Sequence, residues 1–363
     1  MNKPDYLLIF LIIVFVAFGF LMLSSATAFS AVNEHNDAYF YVKSQLRGLI
    51  AGLILFWIFS RMDYRVFKKY GNWILGGTIM LLLLVLIPGI GIKNGTAARS
   101  WIGVPFAGSF QPSELAKLGL ILFFSAWLEF KTVITHTAFK NIFIKFSLIL
   151  GAVAGMILLQ PDMGTAAIVV LIAMIIYFVA GAPLLHFGIF GALAAAGSFV
   201  LIKMAPYKMA RFTAFLNPSV DPQGIGYHIN QALLAIGSGR LFGVGLGQSL
   251  QKLQYLPEVS ADSIFAIIGE ELGFLFAVLF VAALILFLIR GLKAASGAPD
   301  FFGKILATGI TGWIVVQAFI NIGGMLAVMP MTGVPLPFVS AGGTALLATL
   351  AGCGILVNIS RWS

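Results

Sequence analysis

The sequence is short of charge. Of its 363 residues, 13 are acidic and 22 are basic, or 10% charged, where an ordinary soluble domain is about a quarter charged. Hydrophobic residues make up 60% of the chain and the mean hydropathy is +1.02. This excludes an ordinary soluble domain and points to an integral membrane protein, with apolar runs long enough for helices rather than barrel strands. Cysteine is nearly absent. Cys353 stands alone inside an apolar run, which excludes an intramolecular disulfide and a thiolate metal cluster and leaves a small packing residue. The four histidines are scattered without metal-ligand spacing, and His228 stands isolated. There is no internal repeat, low-complexity segment or Walker lysine pattern. The glycine-rich stretch 237–249 has no G-x-G-x-x-G between a strand and a helix, so it is expected to serve tight turning and close helix packing.

What is present is a series of apolar runs. At about 20 residues per span, ten candidates lie near 6–25, 46–60, 73–90, 113–129, 143–159, 164–181, 185–203, 264–289, 303–328 and 341–360. The first run is too long for a signal-peptide core and is expected to be the first span. The net charge of +9 reads as a topology signal rather than a nucleic-acid surface, and no nucleic-acid partner is expected. With ten spans, Arg61, Arg65, Lys68 and Lys69 share one side with Lys131, Lys140 and Lys145, with Arg290, Lys293 and Lys304, and with Lys3 and Arg361. By the positive-inside rule that side is the cytoplasm, and both termini lie there. The expectation is an all-α polytopic membrane protein forming one domain over 1–363. Its external side holds 91–112, a turn at 160–163, a long structured segment over 204–263, and 329–340.

Polar residues break this pattern at a few places. In QPSELAKLGL, Pro112 can start a helix and Ser113 can cap it. Glu114 and Lys117 share a face, as a local ion pair or as a site facing a polar cavity. Asp162 is placed to cap the sixth span, and Asp262, between Ser260 and Ser263, to cap the eighth. Glu270 lies about 12 Å further along that helix, and Glu271 nearly opposite Asp262. A carboxylate at membrane depth costs about 2.5–3.5 kcal/mol, so both need partners from the protein. The candidates are Arg99, Lys117, Lys203, Lys208, Arg211, Arg240 and Lys252. Asn321 and Ser340, near the external ends of the last two spans, read by themselves as packing or capping residues. Acidic and basic groups thus converge on an external cavity, which fits either a transporter or an enzyme acting on a membrane-borne anion.

At these motifs the chain resembles the SEDS family (shape, elongation, division and sporulation). The resemblance runs over nearly the whole length: GTAARSWIGV…FQPSELAK, QPDMGTA, RFTAFLNPSVDPQGIGYHINQ, AIGSG…GVGLGQSLQKLQYLPE, LPEVSADSIFAIIGEELG and LPFVSAGGT. It leans to the division branch, FtsW, more than to the elongation branch, RodA. It implies a ten-span enzyme of the bacterial plasma membrane that polymerises lipid II outside the membrane, beside a single-span class B penicillin-binding transpeptidase and other division proteins. It also implies that Asp262, a few residues after Leu-Pro-Glu, is the catalytic aspartate. The family's usual Thr-Asp-Phe-Ile-Phe reads Ala261-Asp262-Ser263-Ile264-Phe265 here, and Arg240 replaces a common glycine.

On that resemblance, one lipid II supplies the donor sugar on its pyrophosphate and a second supplies the attacking hydroxyl. Inversion at the donor carbon implies direct displacement with Asp262 as general base. Arg99, Lys117 and Arg211 are candidates for the leaving pyrophosphate, with Glu114, Asp162 and Ser340 on the substrate side. Glu258, Glu270 and Glu271 are expected to support the helix and its neighbours. A divalent cation, Mg or Mn, with unassigned ligands would be bound through carboxylate and phosphate oxygens, and no organic cofactor is expected. The alternatives are a flippase or transporter for lipid-linked precursors, an elongation polymerase, and a noncatalytic scaffold.

Overall fold

The computed structural model describes residues 3–92, 100–104, 108–129, 136–204, 213, 215 and 224–362. The described helices are α1 (Tyr6–His35), α2 (Phe40–Arg61), α3 (Val66–Leu86), α4 (Pro112–Glu129), α5 (His136–Leu158), α6 (Met163–Val179), α7 (Leu184–Met204), α8 (Ile225–Ser238), α9 (Ile264–Ser296), α10 (Phe301–Met325) and α11 (Gly343–Ser360). Each of the ten apolar runs coincides with one of these helices, and α8 is an additional short one. Six helices are long and apolar enough to cross a membrane: α1, α2, α3, α5, α9 and α10. The protein is a multi-pass membrane protein.

The fold is mostly helical rather than all-α. The segment before α4 carries an antiparallel sheet in the order β1 (Gly91–Ile92), β2 (Trp101–Val104), β3 (Gly108–Phe110). Ile102 pairs with both Gly91 and Phe110. These strands are too short to register against runs of membrane-span length.

The outside of the bundle is apolar. Phe10, Ile13, Ile54, Trp57, Leu148 and Phe274 are all more than half exposed, as lipid-facing residues are. The helix at the centre is α10, packed against α4, α6, α9 and α11. Helices α2 and α11 run together through small residues. A side chain at Gly48 would overlap the Gly343 backbone, and one at Gly354 the Phe56 backbone. Close approach of backbones is how helices associate where lipid and side chain are equally apolar.

The two ends of the bundle differ. At one end both chain termini meet the basic loops. Asp5 caps α1 and accepts from Arg290 at 2.8 Å, while its own N–H donates to Ser360 Oγ. Asp300 caps α10 and accepts from Tyr64 (2.7 Å), Arg65 (2.8 Å) and the Gly303 N–H. Burial pushes the Asp300 carboxyl up, but these three donors outweigh it and hold the group below the ordinary carboxylate range. The opposite end holds the sheet, the α5–α6 turn, the segment 239–263 and the loop 326–342.

Helix α9 is broken. Gly273 has φ 80 and ψ −179, so the run reads as one span but forms two helical pieces. The glycine-rich stretch sits against that break. The N–H groups of Val244 and Gly245 donate to the carbonyls of Glu270 and Glu271, and those of Phe274 and Leu275 to the carbonyls of Arg240 and Leu241. A Cβ at Gly239 or Gly243 would overlap the Gly269 or Glu271 carbonyl. The turn also forces Arg240 to φ 49. The left-handed region costs a non-glycine residue about 1–2 kcal/mol, and the Arg240 side chain is exposed. Arg240→Gly is therefore expected to raise the thermal midpoint in detergent, by about 0.5–1 kcal/mol of stability once the added freedom of the unfolded chain is counted. A lowered midpoint would show that the arginine side chain contributes more than its backbone costs.

Candidate active site

At that opposite end of the bundle the loop 326–342 lacks regular structure between its turns, and Met331, Val334 and residues 336–340 within it are buried. Irregular backbone is tolerated at such depth only where the protein satisfies its polar groups. Helix α10 does this with two amides one turn apart. Gln317 Nε2 donates to the Pro335 carbonyl at 2.9 Å. Asn321 Nδ2 donates to the Val334 carbonyl at 2.9 Å and to the backbone carbonyl of Asp262 at 2.7 Å. Elsewhere the loop is held by Gln45, which accepts from the Gly342 N–H and donates to the Ser340 carbonyl. Phe338 stacks on Phe15 of α1 at 5.5 Å.

Asp262 lies at this junction, 7% exposed, immediately before α9. It does not cap the helix. Ser263 holds the N-cap position and makes no side-chain capping bond, because its hydroxyl is turned to the Pro257 carbonyl and to His228. Asp262 is positioned through its backbone carbonyl instead. The next loop is tied in by the Ala341 N–H, which donates to the Ser260 carbonyl at 2.8 Å. Ser340 is buried, and its hydroxyl accepts from the Leu336 N–H, closing the turn. Glu258 lies in the same loop. Burial raises its carboxyl above the ordinary range, and the charges of Asp262 and Glu34 raise it further.

The second charged group lies at the start of α4. Lys117 Nζ is 2.7 Å from Glu114 Oε1 and 2.8 Å from Gln317 Oε1, and it lies over the Trp313 ring. Lysine and glutamate are both fully enclosed, and Glu114 Oε2 is buried without a hydrogen-bond partner among the described residues. Ser113 is the second residue of α4 rather than its cap, and its hydroxyl is also buried without a partner among the described residues. Asp162 does cap α6, through the Thr165 N–H, and Gln111 reaches its other oxygen at 3.4 Å. Lys117 and Asp262 are thus attached to adjacent turns of α10 through Gln317 and Asn321. Arg99, Lys208 and Arg211 lie outside the described residues, as does the side chain of Lys203.

The two deeper carboxylates have separate partners. Glu271 pairs with Lys252 at 2.7 Å and accepts from Ser25 of α1. Glu270 has no basic partner among the described residues. It accepts from the Ser249 hydroxyl and the Leu250 N–H, so backbone and hydroxyl donors replace the cation expected there. Both glutamates fasten the segment 239–256 to the first piece of α9. Among the described residues no three acidic, histidine or cysteine side chains are grouped to hold a metal ion, so the donor set for a resident cation is not complete within them.

A family model described as "Cell cycle protein" and named for FtsW, RodA and SpoVE matches residues 5–363. The chain belongs to this SEDS family. Stage V sporulation protein E of Bacillus subtilis is 41% identical over all of this chain and 98% of its own length. The probable peptidoglycan glycosyltransferase FtsW of a Geobacter species is 37% identical over 98% of this chain and 96% of its own. Among solved structures, a chain of a peptidoglycan synthase complex described as coordinating polymerization and crosslinking superposes with a TM-score of 0.79 at 29% identity, covering 99% of this chain and 98% of the other. The rod shape determining protein RodA of Thermus thermophilus gives 0.72 at 29% identity, covering 99% and 97%. Within this family fold, sequence reasoning left out the parts played by Gln317, Asn321 and Ser263, and it treated His228 as isolated. A polar amide repeating at i and i+4 near the end of an apolar span was the signal available for Gln317 and Asn321.

Two expectations follow. Asn321→Leu leaves the Asp262 and Val334 carbonyls without their donor and should cost about 1–3 kcal/mol per stranded carbonyl in thermal unfolding; a neutral variant would mean that water replaces the amide. Lys252→Met strands a buried carboxylate and should cost about 3–5 kcal/mol, whereas Lys252→Met combined with Glu271→Gln should recover most of it. Equal losses in the single and double variants would show that the pair does not act as a unit.

Proposed function

We propose that this chain is a peptidoglycan glycosyltransferase of the bacterial plasma membrane that polymerises lipid II on the extracytoplasmic side, with Asp262 as general base. The observation that carries this reading is the attachment of the backbone of buried Asp262 and of the buried Lys117 ammonium to adjacent turns of α10, by Asn321 and Gln317. The family membership and the name of the Geobacter relative support it.

The chemistry assigned to the site is a single inverting displacement. The hydroxyl oxygen of the acceptor sugar attacks the donor's anomeric carbon, the bond from that carbon to the pyrophosphate oxygen breaks, and the hydroxyl proton passes to Asp262. A carboxylate held in a poorly solvated rim is a stronger base than one in water. The leaving pyrophosphate gains charge and needs cations. Lys117, enclosed here between Glu114, Gln317 and Trp313, reaches it only if the loop held by Gln317 opens. Arg99 and Arg211 remain proposed for the same role, with Asp162 and Ser340 on the substrate side. A divalent cation stays part of the proposal, but substrate phosphates would have to complete its ligands, and no step is routed through it.

In this reading the ten apolar helices span the membrane with both termini in the cytoplasm, and 204–263 is external. A single-span transpeptidase is the proposed partner, supported by the likeness to a synthase complex that coordinates polymerization and crosslinking. The proposed process is cell division. Similarity to stage V sporulation protein E over the whole chain favours a second setting for the same chemistry, sporulation. Depleting the protein in dividing and in sporulating cells separates the two.

The reaction itself is tested with purified protein, its co-expressed transpeptidase and lipid II. Wild type should form glycan strands, and Asp262→Asn should slow the reaction by about a hundredfold or more. Strand formation at the wild-type rate in Asp262→Asn would remove the base assignment. Transbilayer movement of lipid II without polymerisation, measured in the same vesicles, would identify a transporter instead.

A further inference from the structure

The end of the bundle that holds both chain termini has a corner rich in arginine. Asn358 of α11 closes it. Its Oδ1 accepts from the Tyr64 N–H at 3.3 Å, and its Nδ2 donates to the Ser60 carbonyl at 3.0 Å. These bonds hold the link between α2 and α3 against the last turn of α11. Arg61 ends α2 and lies over the Trp57 ring at 4.8 Å. Arg65, in the link, lies over the Trp362 ring at 5.1 Å. Arg361 is the C-cap of α11. Arg65 engages both nearby acids: Asp300 accepts from its Nε, and Asp63 from its backbone N–H. Arg61 and Arg361 have no ion pair among the described residues.

Two donors at this corner also lack acceptors. Arg361 Nε and Trp362 Nε1 are enclosed and make no hydrogen bond among the described residues. An enclosed donor without a partner is costly. A cation at the C-terminal end of a helix suits the helix dipole, which accounts for Arg61 and Arg361 as charges. It does not account for the unpaired N–H groups or for the two indole rings beside the guanidiniums. The corner lacks an anion that only accepts hydrogen bonds, and a phosphate diester is one.

We propose that this corner binds the headgroup phosphate of an anionic phospholipid, through Arg61, Arg361 and the Trp362 N–H. The membrane is the source because of where the corner lies. Ile50, Ile54 and Trp57 are each more than half exposed and share one face of α2, and Arg61 ends that face. The acyl chains lie along this apolar face. Trp57 sits where tryptophan meets headgroups at a membrane boundary, and basic pockets between helices at that level hold anionic headgroups. Arginine suits the task because its planar fork of donors matches phosphate oxygens. A lipid held here fastens the end of α2 to the C-terminus of the chain. The corner is at the end of the bundle opposite Asp262, and its occupant does not depend on the reaction proposed there.

The test is retention of phosphatidylglycerol by the purified full chain in detergent, measured by native mass spectrometry beside phosphatidylcholine with the same acyl chains. Phosphatidylglycerol should be retained in preference. Arg61→Gln and Arg361→Gln should each weaken its retention about fivefold, and the double variant about twenty-five-fold. Lys145→Gln with Lys293→Gln removes the same charge from exposed positions on α5 and α9 and should change nothing. Trp362→Phe keeps a ring and deletes the unpaired N–H. It should weaken retention about tenfold without lowering the thermal midpoint of the lipid-free protein. Glycerol 3-phosphate, a headgroup without chains, should not displace the lipid. Equal retention of the two lipids overturns the proposal, as does wild-type retention in the double arginine variant. A loss in the lysine pair as large as in the arginine pair shows a general charge effect and overturns the site. Displacement by an equal concentration of glycerol 3-phosphate overturns the membrane as the source. Wild-type retention in Trp362→Phe removes the indole from the site.

Discussion

The structure depends on the burial of an irregular loop inside a helix bundle. Residues 326–342 cannot satisfy their own backbone groups as a helix would, and lipid offers no donors. The bundle supplies them from fixed side chains: Gln317 and Asn321 from α10, and Gln45 from α2. Each of these amides has a second task. Gln317 also holds Lys117, and Asn321 also holds the Asp262 backbone. The same bonds that allow the loop to be buried therefore set the position of the two charged groups proposed for chemistry.

A second constraint shapes the segment after α8. Three carboxylates within ten residues of α9's start would be costly in hydrocarbon. They are resolved in three ways. Glu271 takes a lysine, Glu270 takes hydroxyl and backbone donors, and Asp262 lies outside the helix, just before its N-cap. The glycines at 239, 243 and 273 let the loop lie directly on the broken helix, which brings Lys252 and Ser249 within reach. Fastening this loop also fixes the turn 257–263, and with it Asp262.

Much of the plan was legible in the residues. The apolar runs located ten of the described helices because hydrophobic length is a local property of the chain. The Glu114–Lys117 pair and the Asp162 cap were legible for the same reason, since both close within one helical turn. The Asp262 cap failed because Ser263 takes the N-cap position, its hydroxyl bonded to the Pro257 carbonyl and to His228, 35 residues away. The sheet before α4 was missed because its strands are only two to four residues long.

By itself the sequence determined that this is a helical membrane protein of the SEDS family, and which carboxylates demand an explanation. Those conclusions need only composition, periodicity and motifs. The tertiary structure decided which partner each carboxylate takes. Lys252 was one of seven basic candidates for the deeper glutamates, and a hydroxyl and a backbone N–H for Glu270 were not among them. Such choices are set by contacts between residues far apart in the chain, where a few ångströms decide between a charge pair and an unpaired charge.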